Sequence, residues 1–408
     1  MAVAGIIAEY HPFHRGHAWQ IEQVRSRLGE NTAVVAAMSG NFVQRGEFAV
    51  FSKHARAEMA LCGGADLVLE LCAPWSSATA ERFAQGGVSL LAATGVVTHL
   101  AFGCESGEIA PLLKTVESLE DERFSKLLHE HLAEGMSFAA ARQATLEELA
   151  GEAAQCLAAP NNALAVEYLR ALKIFDPSNP SIQPLALPRI GAAHDSEELG
   201  QYPSASAIRR VLLEGGDWQS FVSERTAEIM LREINAGRAP VTMKHCERAI
   251  LSHLRRMRED DFLPYDGGGE GLYRRFYAAV RSARSIGELL EAAKTKRYPM
   301  ARLRRMLLHS YLGILPAAQG ETPPYLRVLG ANARGRVLLR QMKQTASLPI
   351  ITKPAQVRDM DERIQACFLR EAACTDLYTL AMPEIVQADG EFTRAAVMTE
   401  LPKERRTL

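Results

Sequence analysis

Ala8-Glu9-Tyr10-His11-Pro12-Phe13-His14-Arg15-Gly16-His17 is the stretch that decides how this 408-residue chain is read. It follows an apolar run, Ala2 to Ala8, that reads as a buried strand, and it leads into His17 to Leu28, which reads as a helix. Pro12 and Gly16 mark the turn between them. His14-Arg15-Gly16-His17 is an H-x-G-H pattern, with two imidazoles three residues apart across that turn. Gly16 carries no side chain, so an adenine or ribose could lie against its backbone. The helix start offers unpaired N–H groups and a positive dipole end to phosphate. The imidazoles can donate to phosphate oxygens and stabilise charge building up at an α-phosphate during adenylyl transfer. The same pattern also arises by chance, as polar surface near a turn. Its place after a first strand favours the chemical reading. Zinc fits less well, because the pair straddles a glycine turn and lacks a clear third ligand, so no protein metal site is expected.

Outward from the turn the chain alternates. Thr32 to Met38, Asp66 to Leu71 and Thr98 to Phe102 read as strands, and Lys53 to Cys62 and Ala78 to Ala92 as helices, with a polar loop from Ser39 to Glu47. Such alternation predicts a mainly parallel sheet with right-handed crossovers. Ligands sit at the carboxyl ends of such strands. The loops after Ala8, Met38, Leu71 and Phe102 are therefore expected to meet at one site. Ile109 to Leu149 is charged and mostly helical. Ala163 to Leu172 reads as a helix opened by Asn161 and Asn162, Pro177 to Ser181 as a loop, Ile182 to Leu187 as a last strand and Ser204 to Leu213 as a helix. Beyond about Gly215 helical periodicity takes over to about Leu312. A Pro/Gly stretch, Leu315 to Pro324, precedes a mixed α/β tail. The expected organisation is a catalytic domain over 1–215 and a mainly helical domain with a small α/β tail over 216–408.

The bulk composition narrows the class. A formal net charge of −1 gives no global basic signature, so any polyanion site has to be local. Apolar runs such as Leu90 to Val97 are too short to span a bilayer, and no signal peptide is apparent. The seven cysteines are scattered, odd in number and without a C-x-x-C pair, which predicts free thiols and a cytoplasmic setting.

The turn and the segments after it resemble a family. Gly5 to His17 is similar to the G-x-x-x-E-Y-N-P-F-H-x-G-H start of the bacterial tRNA(Met) cytidine acetate ligases, which carry the "HIGH" signature of the nucleotidyltransferase superfamily. Met38 to Glu47 resembles their M-S-G-x-F-x-Q-R-G-E loop. Arg56 to Leu61 and Gly64 to Leu71 resemble R-A-x-x-A-L and G-A-D-L-V-x-E-L. Phe102-Gly103-Cys104-Glu105 resembles F-G-S-E, Pro160-Asn161-Asn162 resembles P-N-N, and Arg189-Ile190-Gly191-Ala192 resembles R-x-G-A. The first 210 or so residues carry most of the likeness. His11 departs from the usual Asn, Cys104 from the usual Ser, and a tyrosine often found before His194-Asp195 is missing.

The resemblance implies a Rossmann-like, HUP-type nucleotidyltransferase α/β domain followed by a mainly α-helical one. It also implies a two-step reaction. Acetate attacks the α-phosphate of ATP, and the resulting acetyl-adenylate acetylates N4 of the wobble cytidine of elongator tRNA(Met). ATP is a substrate, Mg2+ is left open, and no membrane or protein partner is implied. His14 and His17 are the implied catalytic residues. The implied nucleotide contacts are Ile7, Ala8, Glu9, Tyr10, His11, Pro12, Phe13, His14, Gly16, His17, Gly103, Asn161, Asn162, Arg189, Ile190, Ser206 and Arg209. Simpler roles exist for several. One of Asn161 and Asn162 could cap a helix, as could Ser204 or Ser206. Gly103 could serve a tight turn, Arg189 could form a surface ion pair, and Arg209 could be solvated. Lys53, Arg56 and Arg45 read equally well as site residues or as surface charge. A cofactor-making adenylyl- or cytidylyltransferase shares the turn, but is usually one domain. A non-catalytic RNA-binding protein is the remaining alternative.

Basic residues cluster after Gly215. Arg255, Arg256 and Arg258 lie together, Arg274-Arg275-Phe276-Tyr277 mixes charge with aromatics, and Lys294, Lys296, Arg297, Arg302, Arg304 and Arg305 follow. Arg334 and Arg336 flank Gly335 in an expected loop. Such groups neutralise phosphates and stack on unpaired bases. An exposed helical face is the plainer reading, favoured locally by Glu259, Asp260 and Asp261.

Overall fold

A computed structural model of the chain describes residues 1–105, 107–136, 138–176, 181–189, 203–267, 271–320 and 322–400. Its strands are β1 (Val3–Ala8), β2 (Ala33–Ser39), β3 (Phe42–Val43), β4 (Glu47–Phe48), β5 (Leu67–Leu71), β6 (His99–Cys104), β7 (Gln183–Pro188), β8 (Leu326–Ala331), β9 (Ile350–Ile351) and β10 (Val397–Met398). The main sheet runs β10-β8-β5-β2-β1-β6-β7, with β9 on β8, and β3 pairs with β4 in a small hairpin.

The run β5-β2-β1-β6-β7 is parallel throughout. The chain moves outward from β1 to β2 and β5, then crosses back to β6 and β7. Its direction of winding therefore reverses between β1 and β6, and ligands bind at such a reversal. The register shows why space is available there. β1 pairs with β6 only through Ala4↔His99 and Gly5↔Leu100, whereas β6 pairs with β7 along its whole length. The carboxyl ends of β1 and β6 are left apart.

Both faces of this sheet are covered. Val3, Ile7, Val35, Leu67 and Leu69 pack with Trp75, Phe83 and Leu91 on one face. Ala4, Ile6, Val34, Met38 and Val68 pack with Ile21, Val24 and Met59 on the other. That is why these strands read as continuous apolar runs without polar alternation. A third core joins the helical segment, through Ile250, Leu254, Phe276, Leu303 and Leu307, to Phe42 and Phe48 of the hairpin.

Two features differ from the sequence reading. The expected division assigns the α/β tail to the second domain, but β8 returns to the first sheet, antiparallel to β5 at Leu67↔Ala331 and Val68↔Gly330. It covers an edge that would otherwise expose unpaired N–H and C=O groups. Arg334, Gly335 and Arg336 lie in the helix Ala333–Thr345, not in a loop. Among the described residues, no helix is long and apolar enough to cross a membrane.

Candidate active site

The helix Arg15–Leu28 begins on His14, whose backbone is extended. The Gly16 N–H donates to His14 Nδ1 at 3.0 Å, and the His14 N–H donates to His17 Nδ1 at 3.2 Å. The two histidines thus cap the helix reciprocally, in the role usually taken by Ser/Thr and Glu. A chemical consequence follows. A backbone N–H can only donate, so both Nδ1 atoms accept and the ring proton of each histidine sits on Nε2. The ring centroids are 3.9 Å apart. Gly16 has a further reason to be glycine, since a Cβ there would come within 2.9 Å of His14 Cε1. Tyr10, just before the turn, holds φ +46°. Such backbone is uncommon for a bulky residue and clusters at functional sites.

Cations surround the pair. Arg209, on the helix Ala205–Leu213, donates from Nη1 to the His11 carbonyl at 2.9 Å and from Nη2 to Ser206 Oγ at 3.1 Å. Glu47 lies between Arg209, 3.9 Å away, and Arg304 of the helical segment, 2.6 Å away. Arg56 is fully buried and donates to the carbonyls of Glu9, Phe51 and Gly40, so it clamps the end of β1 to the loop after β2. Burial, with Arg189 and Arg209 nearby, pushes the His14 pKa down to about 3. Burial and the charges of Arg209 and Arg56 take His11 well below its ordinary value. Both rings are neutral hydrogen-bonding groups at physiological pH.

The far wall rises from the ends of β6 and β7. Arg189 donates from Nη1 to Asn161 Oδ1 at 2.8 Å. Asn161 Nδ2 donates to Glu105 Oε1 at 2.8 Å, and the Asn162 N–H donates to Glu105 Oε2 at 3.1 Å. The Glu105 N–H donates to Asn162 Oδ1 at 3.0 Å. Neither asparagine caps its helix as the sequence suggests. The helix starts three residues before the expected Ala163, at Pro160, and its N-cap Ala159 has no capping side chain.

One cavity is lined by Ile7, Ala8, Glu9, Tyr10, His11, His14, Gly16, His17, Gly103, Asn161, Arg189 and Arg209. Other expected residues stand behind its wall. Phe13 is buried against Tyr10 and His17, Asn162 is turned to Glu105, and Ser206 holds Arg209. Ser204 caps the Arg209 helix by accepting from the Ala207 N–H at 3.0 Å. Ile190 lies outside the described residues. A Cβ at Gly103 would meet Arg189 Cγ at 3.2 Å, so this glycine makes room for the arginine.

The loop after β2 reaches the cavity through Val43, Gln44, Arg45 and Glu47, and the Gln44 N–H donates to Glu9 Oε1 at 2.8 Å. The loop after Leu71 does not line it, because β5 lies two strands from the β1/β6 opening. Lys53 is buried away from the cavity, among carboxylates. The sequence reading misses Glu105 as the partner of Asn161 and Asn162 behind the wall, and also the apolar lining of Phe83, Phe102, Leu164, Tyr168 and Leu187. The F-G-x-E segment held a signal for Glu105. The apolar lining had none beyond core-like residues.

The neutral histidines have a stability consequence. Burial and the charge of Arg305 lower His309 to about 4, and burial lowers His54 to about 3. Between the ordinary value near 6.5 and these folded values, the unfolded chain binds more protons. Stability is therefore present above that window and falls as pH drops through it. At pH 5 a group such as His309 should cost on the order of 2 kcal/mol. We expect the melting temperature to fall between pH 7 and pH 5, and His309→Asn to flatten that fall. Identical pH profiles for the two proteins would contradict this assignment.

The comparisons with known proteins point to one family. A family model described as HIGH Nucleotidyl Transferase matches residues 1–392. A tRNA(Met) cytidine acetate ligase of Syntrophomonas wolfei is 37% identical over 417 residues, covering 97% of this chain and 99% of that protein. One from Caldanaerobacter subterraneus is 38% identical over 390 residues, covering 93% and 96%. The crystal structure of Thermotoga maritima TmcAL bound with alpha-thio ATP superposes with a TM-score of 0.90 at 34% identity, over 98% of this chain and 100% of that one.

Proposed function

The chain belongs to the tRNA(Met) cytidine acetate ligase family of HIGH nucleotidyl transferases, and from that membership we propose that it acetylates N4 of the wobble cytidine of elongator tRNA(Met) with acetate and ATP. The observation that carries the mechanism is the reciprocal capping of His14 and His17. It fixes both rings with Nε2–H as the donor, at the positive end of a helix, beside the β1/β6 opening. In the first step an acetate oxygen attacks the α-phosphorus of ATP, and pyrophosphate leaves with the electrons of the broken P–O bond. The two imidazoles and the helix start stabilise the charge that builds on the phosphate oxygens. Arg209 takes the outer phosphates, and Asn161, Arg189 and Gly103 hold the nucleoside end. In the second step the cytidine amine attacks the acetyl carbon, AMP leaves and the nitrogen loses a proton. No covalent enzyme intermediate is required.

Among the described residues no group of three His, Cys, Asp or Glu side chains converges as a metal site. A Mg2+ ion that accompanies ATP needs only the phosphates, water and one or two carboxylates, and Glu9 and Glu47 line the cavity. We place the enzyme in the cytoplasm, where its seven cysteines, all free, stay reduced. The helical segment is the proposed tRNA-gripping part, but much of its basic cluster is already engaged. Arg255, Arg275 and Arg281 donate to backbone carbonyls at helix ends, Arg302 donates to the Asp266 carbonyl, and Arg304 is paired with Glu47. Arg258 and Arg274 are paired as well, with Asp261 at 3.5 Å and Glu259 at 3.7 Å, but their side chains are 87% and 71% exposed, and such weak surface pairs leave them the better candidates for phosphate contact.

ATP–pyrophosphate exchange tests the first step. Exchange that depends on acetate supports the reading, exchange driven only by another acceptor points to a different transferase, and no exchange refutes it. Arg209→Ala should weaken ATP by roughly ten- to hundred-fold, the loss expected for a hydrogen bond to a charged group, and AMP much less. Equal losses for both nucleotides, measured by calorimetry, would rule out the outer-phosphate role.

A further inference from the structure

We propose that Glu105 is a positioning residue of the nucleotide site, which fixes the orientation of the Asn161 amide and, through it, of the Arg189 guanidinium. The inference rests on the reading of the cavity as a nucleotide site. Its basis is the continuous chain Asn162–Glu105–Asn161–Arg189, which ties the first turn of the helix Pro160–Phe175 to the ends of β6 and β7.

The direction of each bond matters. An asparagine amide can be turned over at little cost, because its two ends have nearly the same shape. Here Nδ2 must face Glu105, since the carboxylate only accepts. Oδ1 is then left to accept from Arg189. The other carboxylate oxygen accepts from the Asn162 N–H, which belongs to the helix backbone and cannot turn. Glu105 is thus held from one side and dictates the amide on the other. Arg189 lines the cavity and stands close enough to His14 to lower its pKa.

A plainer role for Glu105 is to cap the helix, whose own N-cap residue supplies no side-chain bond. A carboxylate beside a helix start is favourable in any case. The two roles separate in Glu105→Gln. The glutamine oxygen must stay on the unturnable Asn162 N–H, so the cap survives. The glutamine NH2 then faces Asn161. The Asn161 amide must turn over, which sets its Nδ2 against Arg189 Nη1, donor against donor. Adding Asn161→Asp supplies an acceptor to both neighbours and restores the link.

Calorimetric titration with ATP, alongside thermal melts, decides between them. The expected result is that Glu105→Gln melts like wild type but binds ATP about tenfold more weakly, the lower end for one hydrogen bond to a charged group. Glu105→Gln/Asn161→Asp should recover most of that loss, although Asn161→Asp alone, which sets two carboxylates face to face, should weaken binding too. Such a reversal of sign is a coupling that independent contributions cannot produce. Unchanged ATP affinity in Glu105→Gln, or a double variant at least as weak as the two single losses combined, would overturn the inference. Failure of the wild-type protein to bind ATP would instead bring down the nucleotide reading, and this inference with it.

Discussion

Alanine in place of His17 is expected to slow acetate-dependent ATP–pyrophosphate exchange by ~10²–10³-fold, the usual cost of removing one oriented donor from a developing charge. His14→Ala should do the same. Each ring has two jobs, because Nδ1 caps the helix and Nε2 carries the donor proton. Loss of the cap costs about 1 kcal/mol, which a folded domain tolerates. The rate loss should therefore appear in protein that melts nearly normally. His17→Ala also frees the His14 N–H and loosens the ring stacked beside it. The double variant should then lose less than the product of the single losses, as groups acting as a unit do. A folded His17→Ala protein with near wild-type exchange would show that the turn is not the catalytic centre.

Lys53→Met should lower stability by about 3–5 kcal/mol. Lys53 is 0% exposed and its Nζ lies 2.6 Å from Glu70, 2.7 Å from Glu391 and 3.2 Å from Glu371. Glu70 lies in β5, and Glu371 and Glu391 come from the last part of the chain. The ammonium therefore binds three distant segments. Burial opposes its charge, but the carboxylates of Glu391, Glu70 and Glu371 outweigh burial and raise its pKa. Arg327 Nε stands 3.7 Å from Glu391, so two cations face three carboxylates. Burial accordingly pushes Glu70 well above its ordinary value, while Glu391 is held down to about 2 by Lys53 and its neighbours against the cost of burial. Without Lys53 the buried carboxylates lose their main counter-charge. Denaturant unfolding should show the loss, and adding Glu70→Gln and Glu391→Gln should return much of it. A Lys53→Met protein as stable as wild type would show that the cluster contributes nothing net.

The contrast between Lys53 and His14 shows where sequence reading stops. His14, Gly16 and His17 sit within one turn, so their mutual geometry is set by local backbone, and spacing alone points to it. The strand runs from Val3, Ala33, Leu67 and His99 are legible for a related reason. A sheet covered on both faces selects continuous apolar strands, and the helices between them force parallel order. Lys53 and Arg56 read equally well as site residues or as surface charge, because the carboxylates around Lys53 and the Glu9 carbonyl that Arg56 reaches are remote in sequence. Glu371 and Glu391 lie more than 300 residues from Lys53 along the chain. The return of β8 to the edge of β5, and the pairing of Arg304 with Glu47, are hidden for the same reason. By itself the sequence determined the strand–turn–helix unit, the class of sheet and the family. Tertiary structure alone decided which charges reach the cavity, which are spent holding distant segments together, and how Glu105 faces Asn161. Those outcomes depend on through-space contacts between residues that share no local backbone geometry, and spacing along a chain does not encode them.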